Sequence, residues 1–139
     1  MRIEKGYHAW GADFGTEYTL DDAGLSRFAN MSKGDFIGRA AWERQGQAAS
    51  AWEWIGLEIE EPTPDPMASD PIIKDGAWIG YVTSASLGFR TGKTLALGYV
   101  KAGSLAMDGR CAVTVLGKDR SAKRHDPHVY DHENARLKT

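Results

Sequence analysis

Ile72-Ile73-Lys74-Asp75-Gly76-Ala77-Trp78-Ile79-Gly80-Tyr81-Val82-Thr83 reads as two strands joined by a tight turn. Asp-Gly accepts positive φ at both central turn positions, which the twist of a two-residue hairpin requires. The flanking runs are rich in β-branched and aromatic residues, which suit a pleated, half-buried surface. Upstream, Trp54-Ile55-Gly56-Leu57-Glu58-Ile59-Glu60 alternates and then meets the turn-rich Glu61-Pro62-Thr63-Pro64-Asp65-Pro66. Downstream, Leu95-Ala96-Leu97-Gly98-Tyr99-Val100 and Cys111-Ala112-Val113-Thr114-Val115-Leu116 add two strands, and the polar run after Gly117-Lys118-Asp119 can pair back. Five or six short strands between glycine-rich turns predict a mostly-β chain, a small antiparallel barrel or sandwich. Glycines inside the strands (Gly56, Gly80, Gly98) predict bulges or tight corners.

The character of the chain changes near residue 50. Residues 1–50 predict a mixed α/β partial segment, and residues 51–139 the β domain. Thr19-Leu20-Asp21-Asp22 has capping-box spacing, which predicts a short helix from Leu20. A second helix is predicted over about Gly38 to Gln45, with Asp35 upstream as a cap and Gly46 as a stop.

At 15.2 kDa the chain is large enough to bury a core of its own. Its 26% of charged residues against 42% of hydrophobic ones is a globular balance. No apolar run approaches a membrane span and no signal-peptide core opens the chain, which points to the cytoplasm. The lone Cys111 excludes an intramolecular disulfide and suits a reducing compartment. A net charge of −2 argues against nucleic acid as a partner. The charge is unevenly spread: residues 51–76 carry seven acids and one base, residues 101–139 eight bases and five acids. The basic end is either an ordinary solvated face or a surface for a small anion.

Several constellations bear on chemistry. Gly88-Phe89-Arg90-Thr91-Gly92-Lys93-Thr94 falls one residue short of a phosphate loop, and a strand follows it where that loop needs a helix. His125, His128 and His132, with Asp126 and Asp131, are a potential ligand set. Pro127 interrupts them, so the expectation is a solvated tail that holds no metal. Cys111, Ser84 and Ser86 have no base nearby in sequence, so no catalytic residue is assigned. The most informative stretch is Arg2-Ile3-Glu4-Lys5-Gly6-Tyr7-His8-Ala9-Trp10-Gly11-Ala12-Asp13. A glutamate followed by two aromatics can accept paired N–H donors from a flat heterocycle while an aromatic covers the ring. The plainer alternative pairs Glu4 with Arg2 or Lys5 on an exposed edge.

That stretch resembles the R-[LI]-E-x-G-[YF]-x-x-[WY]-G-x-[DE] signature of the glycine cleavage T-protein (aminomethyltransferase) family, a module that also ends dimethylglycine and sarcosine dehydrogenases. Asp22-Ala23-Gly24-Leu25 is similar to the family's E-A-G-L, and Asp35-Phe36-Ile37-Gly38-Arg39 to its D-F-I-G-[KR]. Gly80-Tyr81-Val82-Thr83-Ser84 and Gly92-Lys93-Thr94-Leu95-Ala96-Leu97-Gly98-Tyr99-Val100 resemble two further blocks in the same order. Trp10 and the Asp-Phe-Ile-Gly block lean toward the dehydrogenase branch. Ala85-Ser86-Leu87-Gly88-Phe89-Arg90 departs from the family's Gly-Tyr-Ser-Pro-type turn.

The resemblance implies a C-terminal β-barrel preceded, in residues 1–50, by the terminal piece of a folate-binding domain. It implies a role in tetrahydrofolate-dependent one-carbon transfer. Glu4 is implied to grip the pterin ring, Lys33 to meet the anionic glutamate tail of folate, and Tyr7 and Trp10 to wall the pocket. The family's catalytic aspartate belongs to a part preceding this sequence. Met1 falls one residue before the signature, which implies a truncated piece or a split subunit. Its implied partners are folate and a catalytic half or partner subunit, with self-association as a further possibility. No flavin or metal is expected on this segment. The alternative is a non-catalytic barrel that docks on a partner subunit.

Overall fold

A computed structural model describes residues 1–45, 50–61 and 64–138 of the chain. Six strands form the core: β1 (Trp52–Ile59), β2 (Pro71–Lys74), β3 (Ala77–Gly88), β4 (Lys93–Lys101), β5 (Arg110–Val115) and β6 (Lys118–His125). They close into an antiparallel barrel in the order β1-β4-β3-β2-β5-β6, with β6 returning to β1. The barrel reading therefore holds over the sandwich. Asp75 and Gly76 form the predicted two-residue hairpin, with φ of 51° and 75° and Lys74 paired to Ala77. The β5–β6 turn is Leu116-Gly117, one residue earlier than predicted, with Leu116 at φ 49°. The break at Pro62-Thr63 and the stop at Gly46 lie outside the described residues.

Ile55, Leu57, Ile72, Val82, Ala96, Val100, Val113 and Ala122 belong to one buried cluster inside the barrel. A second cluster joins Ile3, Trp54, Leu95, Leu97 and Tyr99, packed against Tyr18, Trp52, Tyr81 and Val129. Strands β1 and β4 are thus covered on both faces, and Leu95 through Val100 is a continuous buried run. Residues 1–25 supply the outer cover, with Tyr18 stacked on Tyr99 at 4.0 Å and His8 on Trp54 at 3.7 Å between ring centroids. Gly80 and Gly98 lie where β3 and β4 cross closely. A methyl group at either would overlap the backbone of the facing strand. A bulge between Val82 and Ser84 shifts the register between them.

The second predicted helix is present as α1 (Arg39–Gln45). The first is not. The capping bonds form, Thr19 N donating to Asp22 Oδ2 at 3.0 Å and Asp22 N to Thr19 Oγ1 at 3.0 Å. The chain nevertheless makes only turns up to Gly24, whose φ of +65° breaks the helical path, and a 3-10 turn at Ser26–Phe28 follows. The other Asp22 oxygen is drawn instead to the barrel (below). The C-terminal tail is docked rather than solvated. Lys5 Nζ donates to the Asp131 carbonyl at 2.6 Å and to Asn134 Oδ1 at 2.6 Å, and Tyr130 N donates to the Glu4 carbonyl at 3.0 Å. No helix among the described residues is long and apolar enough to cross a membrane.

Residues 26–45 have a different standing. The 3-10 turns Ser26–Phe28 and Met31–Lys33 and helix α1 bury no residue. Local opening there exposes little apolar surface and is cheap. Hydrogen exchange should be fast across 26–45 and slow in β1, β3 and β4. Equal protection across the two regions would reject this ranking.

Candidate functional site

Arg2–Gly6 folds as a tight turn, with Gly6 N donating to the Ile3 carbonyl at 3.0 Å. Gly6 sits at φ +62°, and a Cβ there would lie 2.7 Å from the Pro127 carbonyl oxygen. The turn sends Ile3 into the second cluster and buries Glu4 to 1% exposure. Glu4 Oε1 accepts from the amides of Arg90 (2.8 Å) and Thr91 (3.0 Å). The near-phosphate loop Gly88–Thr94 therefore does present amides to an anion, but the anion is the protein's own carboxylate. Burial works to raise the Glu4 pKa, and these donors outweigh it, so the group lies below its ordinary value and stays ionised. Glu4 Oε2 is also buried and has no hydrogen-bond partner among the described residues, although the N-terminal ammonium of Met1 lies 3.6 Å from it.

Neither flanking base pairs with Glu4. Arg2 donates to Asp13 at 2.5 Å and to the Tyr7 carbonyl at 2.8 Å, while Lys5 holds the tail. Beside this turn lies a cavity of about 370 Å³ whose lining includes Arg2, Lys5, Tyr7, Arg90, Tyr130 and Arg136. Tyr7, 46% exposed, is on that wall, and its hydroxyl donates to Asn134 at 3.1 Å. Trp10 is 69% exposed and meets Phe14 edge to face. Lys33 is exposed at the end of its 3-10 turn. Of the four residues, Tyr7 lines this cavity, while Glu4, Trp10 and Lys33 do not.

Two carboxylates that residue-level reading missed organise the site. Asp13 is fully buried and accepts from Arg2, Ala9 N (2.8 Å), Thr83 Oγ1 (2.6 Å) and Ser84 Oγ (2.5 Å). Ser84 is a strand residue whose hydroxyl is spent on Asp13. Ser86 likewise lies within β3. Burial pushes the half-buried Cys111 thiol up to about 11, so it is not a ready thiolate.

Asp22 accepts through Oδ1 from Ser50 Oγ (2.5 Å) and Trp52 N (3.0 Å), tying the N-terminal segment to the start of β1. Burial opposes ionisation, but donors from Ser50, Thr19 and Trp52 prevail and bring the pKa to about 2, from 3.8. A carboxylate lowered in the folded state contributes stability above its unfolded pKa and loses it as pH falls through the folded value. Asp22 should therefore contribute about 2 kcal/mol at neutral pH, lost between about pH 4 and pH 2. Denaturation midpoints across that window check this. Asp22→Asn should flatten the acid limb relative to wild type, and an unchanged limb would contradict the assignment.

The closed barrel and its N-terminal cover place the chain in a known family. It belongs to the glycine cleavage T-protein C-terminal barrel domain family, whose model matches residues 53–131. It is 34% identical over 124 residues to an aminomethyltransferase of Moorella thermoacetica, covering 88% of this chain and 33% of that protein. It is 31% identical over 146 residues to mouse mitochondrial sarcosine dehydrogenase, covering 99% of this chain and 16% of the relative. Human mitochondrial dimethylglycine dehydrogenase is 28% identical over 123 residues, covering 88% and 14%. The crystal structure of glycine cleavage system aminomethyltransferase T from Bartonella henselae superposes with a TM-score of 0.83 at 24% identity, covering 94% of this chain and 37% of that one. The chain thus spans about a third, or less, of the length of these relatives.

Proposed function

We propose that this chain supplies the C-terminal part of a tetrahydrofolate-dependent one-carbon transfer enzyme, of the aminomethyltransferase or dimethylglycine/sarcosine dehydrogenase type, and that Glu4 belongs to its folate pocket. The observation that carries the reading is Glu4 itself. It is an ionised, buried carboxylate with one oxygen fixed by loop amides and the other free of hydrogen bonds among the described residues, with only the N-terminal ammonium of Met1 near it, at 3.6 Å. A buried acceptor left unpaired costs free energy that a ligand bearing N–H donors relieves. The ring N–H and amino group of a pterin are such donors.

In this reading Glu4 binds and orients, and the β3–β4 loop holds its carboxylate in place. Tyr7 walls the adjacent cavity, Trp10 offers a second aromatic face, and Lys33 meets the anionic tail of folate. Lysine there acts as a point charge rather than a bidentate fork. The catalytic groups belong to the remainder of the enzyme. Exposed Trp10, Phe28 and Ile37 on the N-terminal segment suit contact with that remainder. The same apolar side chains favour a second reading, a structural barrel that docks on a partner subunit without touching folate.

Calorimetric titration with tetrahydrofolate separates the two. The assembled enzyme should bind saturably through a Glu4-dependent site, and the chain alone only weakly. Binding by the assembly that is indifferent to Glu4 would favour the docking module.

A further inference from the structure

We propose that Asp126, His128 and His132 form a site for a divalent transition-metal ion of the zinc class. One ligand atom from each lies within 4.8 Å of the other two. Asp126 Oδ1 is 3.0 Å from His128 Nδ1, a separation at which two atoms can share an ion as readily as a proton. In a tetrahedral site with bonds of about 2.0–2.2 Å, ligand atoms sit about 3.4 Å apart. Closing the set from within 4.8 Å to that spacing asks for a small movement of the His132 side chain, which is exposed. The two imidazoles already meet edge to face with centroids 5.3 Å apart.

The sequence expectation of an empty, solvated tail rested on Pro127 interrupting the set near a chain end, where ordering the ligands is costly. The fold removes that premise. Pro127 abuts Gly6, Tyr130 is bonded to Glu4, and Lys5 holds Asp131 and Asn134, so the ligand-bearing segment is anchored before, between and after its histidines. Pro127 itself helps, because the turn behind it lets His128 N donate to Asp126 Oδ1 at 2.8 Å, which folds ring and carboxylate onto one side. A hollow of about 190 Å³ beside His128 and His132 leaves room for water as the remaining ligand.

Two nitrogens and one carboxylate select zinc-like ions over calcium or magnesium, which take oxygen cages. Lys5 faces the same hollow, but its charge is met by Asp131. Arg27 also faces it and opposes a cation, which weakens the binding expected. His125 is outside the set: its Nδ1 contacts the Asp126 carbonyl and its Nε2 is buried.

The test is a titration of the chelator-stripped full chain with Zn²⁺ and Co²⁺ at neutral pH. One equivalent should bind, with cobalt giving the visible absorption of a four- or five-coordinate nitrogen–oxygen site. His132→Ala and His128→Ala should each weaken binding at least about tenfold, the loss that even an outer-shell partner brings. His125→Gln should leave it unchanged, and excess Mg²⁺ should not compete. Because His132 is exposed, His132→Ala should melt like wild type, which separates lost binding from lost fold. Absence of saturable binding, or binding indifferent to His132→Ala, overturns the proposal.

Discussion

Asp13→Ala is expected to lower the stability of the chain by about 3 kcal/mol and to release residues 2–14 from the barrel. The loss follows from what converges on one side chain. Asp13 accepts from the Arg2 guanidinium, the Ala9 amide and the hydroxyls of Thr83 and Ser84. Removing one partner of a buried, charge-assisted set leaves its donors desolvated and unpaired, at about 1–3 kcal/mol each for those that cannot reach water. Arg2 is partly exposed and recovers hydration, which keeps the total below the sum. Thr83 is buried and can turn only to the Leu97 carbonyl, 3.2 Å away. Urea denaturation gives the magnitude, and hydrogen exchange gives the location, with protection lost in 2–14 before β5 and β6 respond. Asp13→Asn keeps acceptor oxygen and should recover part of the loss. A cost under about 1 kcal/mol would mean that the network adds little beyond solvation.

Glu4→Ala should cripple folate binding in the assembled enzyme. A carboxylate accepting two N–H bonds from a ligand is worth on the order of 2–4 kcal/mol, with ~1.5–3 per charge-assisted bond and incomplete additivity. That is roughly a 30- to 1000-fold rise in Kd. Since Glu4 also receives the Arg90 and Thr91 amides, the alanine variant loosens the β3–β4 loop as well. Glu4→Gln separates the effects. Its carbonyl oxygen can keep the loop amides while its NH₂ opposes the donors of a pterin, so stability should hold and binding fall. Lys33→Ala should cost only ~0–1 kcal/mol, the usual worth of an exposed charge pair. An unchanged Kd for both Glu4 variants would reject the folate assignment while leaving the barrel and its family untouched.

The local devices of this chain were legible without a structure. Asp75-Gly76 carries its turn in its own φ preferences, and helix Arg39–Gln45 falls within the span predicted over about Gly38 to Gln45. Ordered motif blocks supplied the family resemblance, and the matched barrel at residues 53–131 agrees with it. The Thr19–Asp22 capping box shows where local reading stops. Both bonds formed, yet Asp22 was also claimed by Ser50 and Trp52, about thirty positions away, and the helix did not follow.

Periodicity also misleads wherever a strand is covered twice. An alternating pattern reports one buried face, but Leu95, Leu97 and Tyr99 are buried as fully as Ala96 and Val100 because residues 1–25 lie over them. Sequence alone determined the strands and their hairpin, since these depend on side-chain character within a few residues, and Glu4 became a candidate through the family resemblance. Tertiary structure decided that β6 closes on β1, that the near-phosphate loop serves Glu4, and that Asp13 meets Thr83 and Ser84. Those contacts join residues 63 or more positions apart. A carboxylate and a hydroxyl carry no local mark of which distant partner will desolvate them, so only closure of the barrel brings the donors to the acceptor.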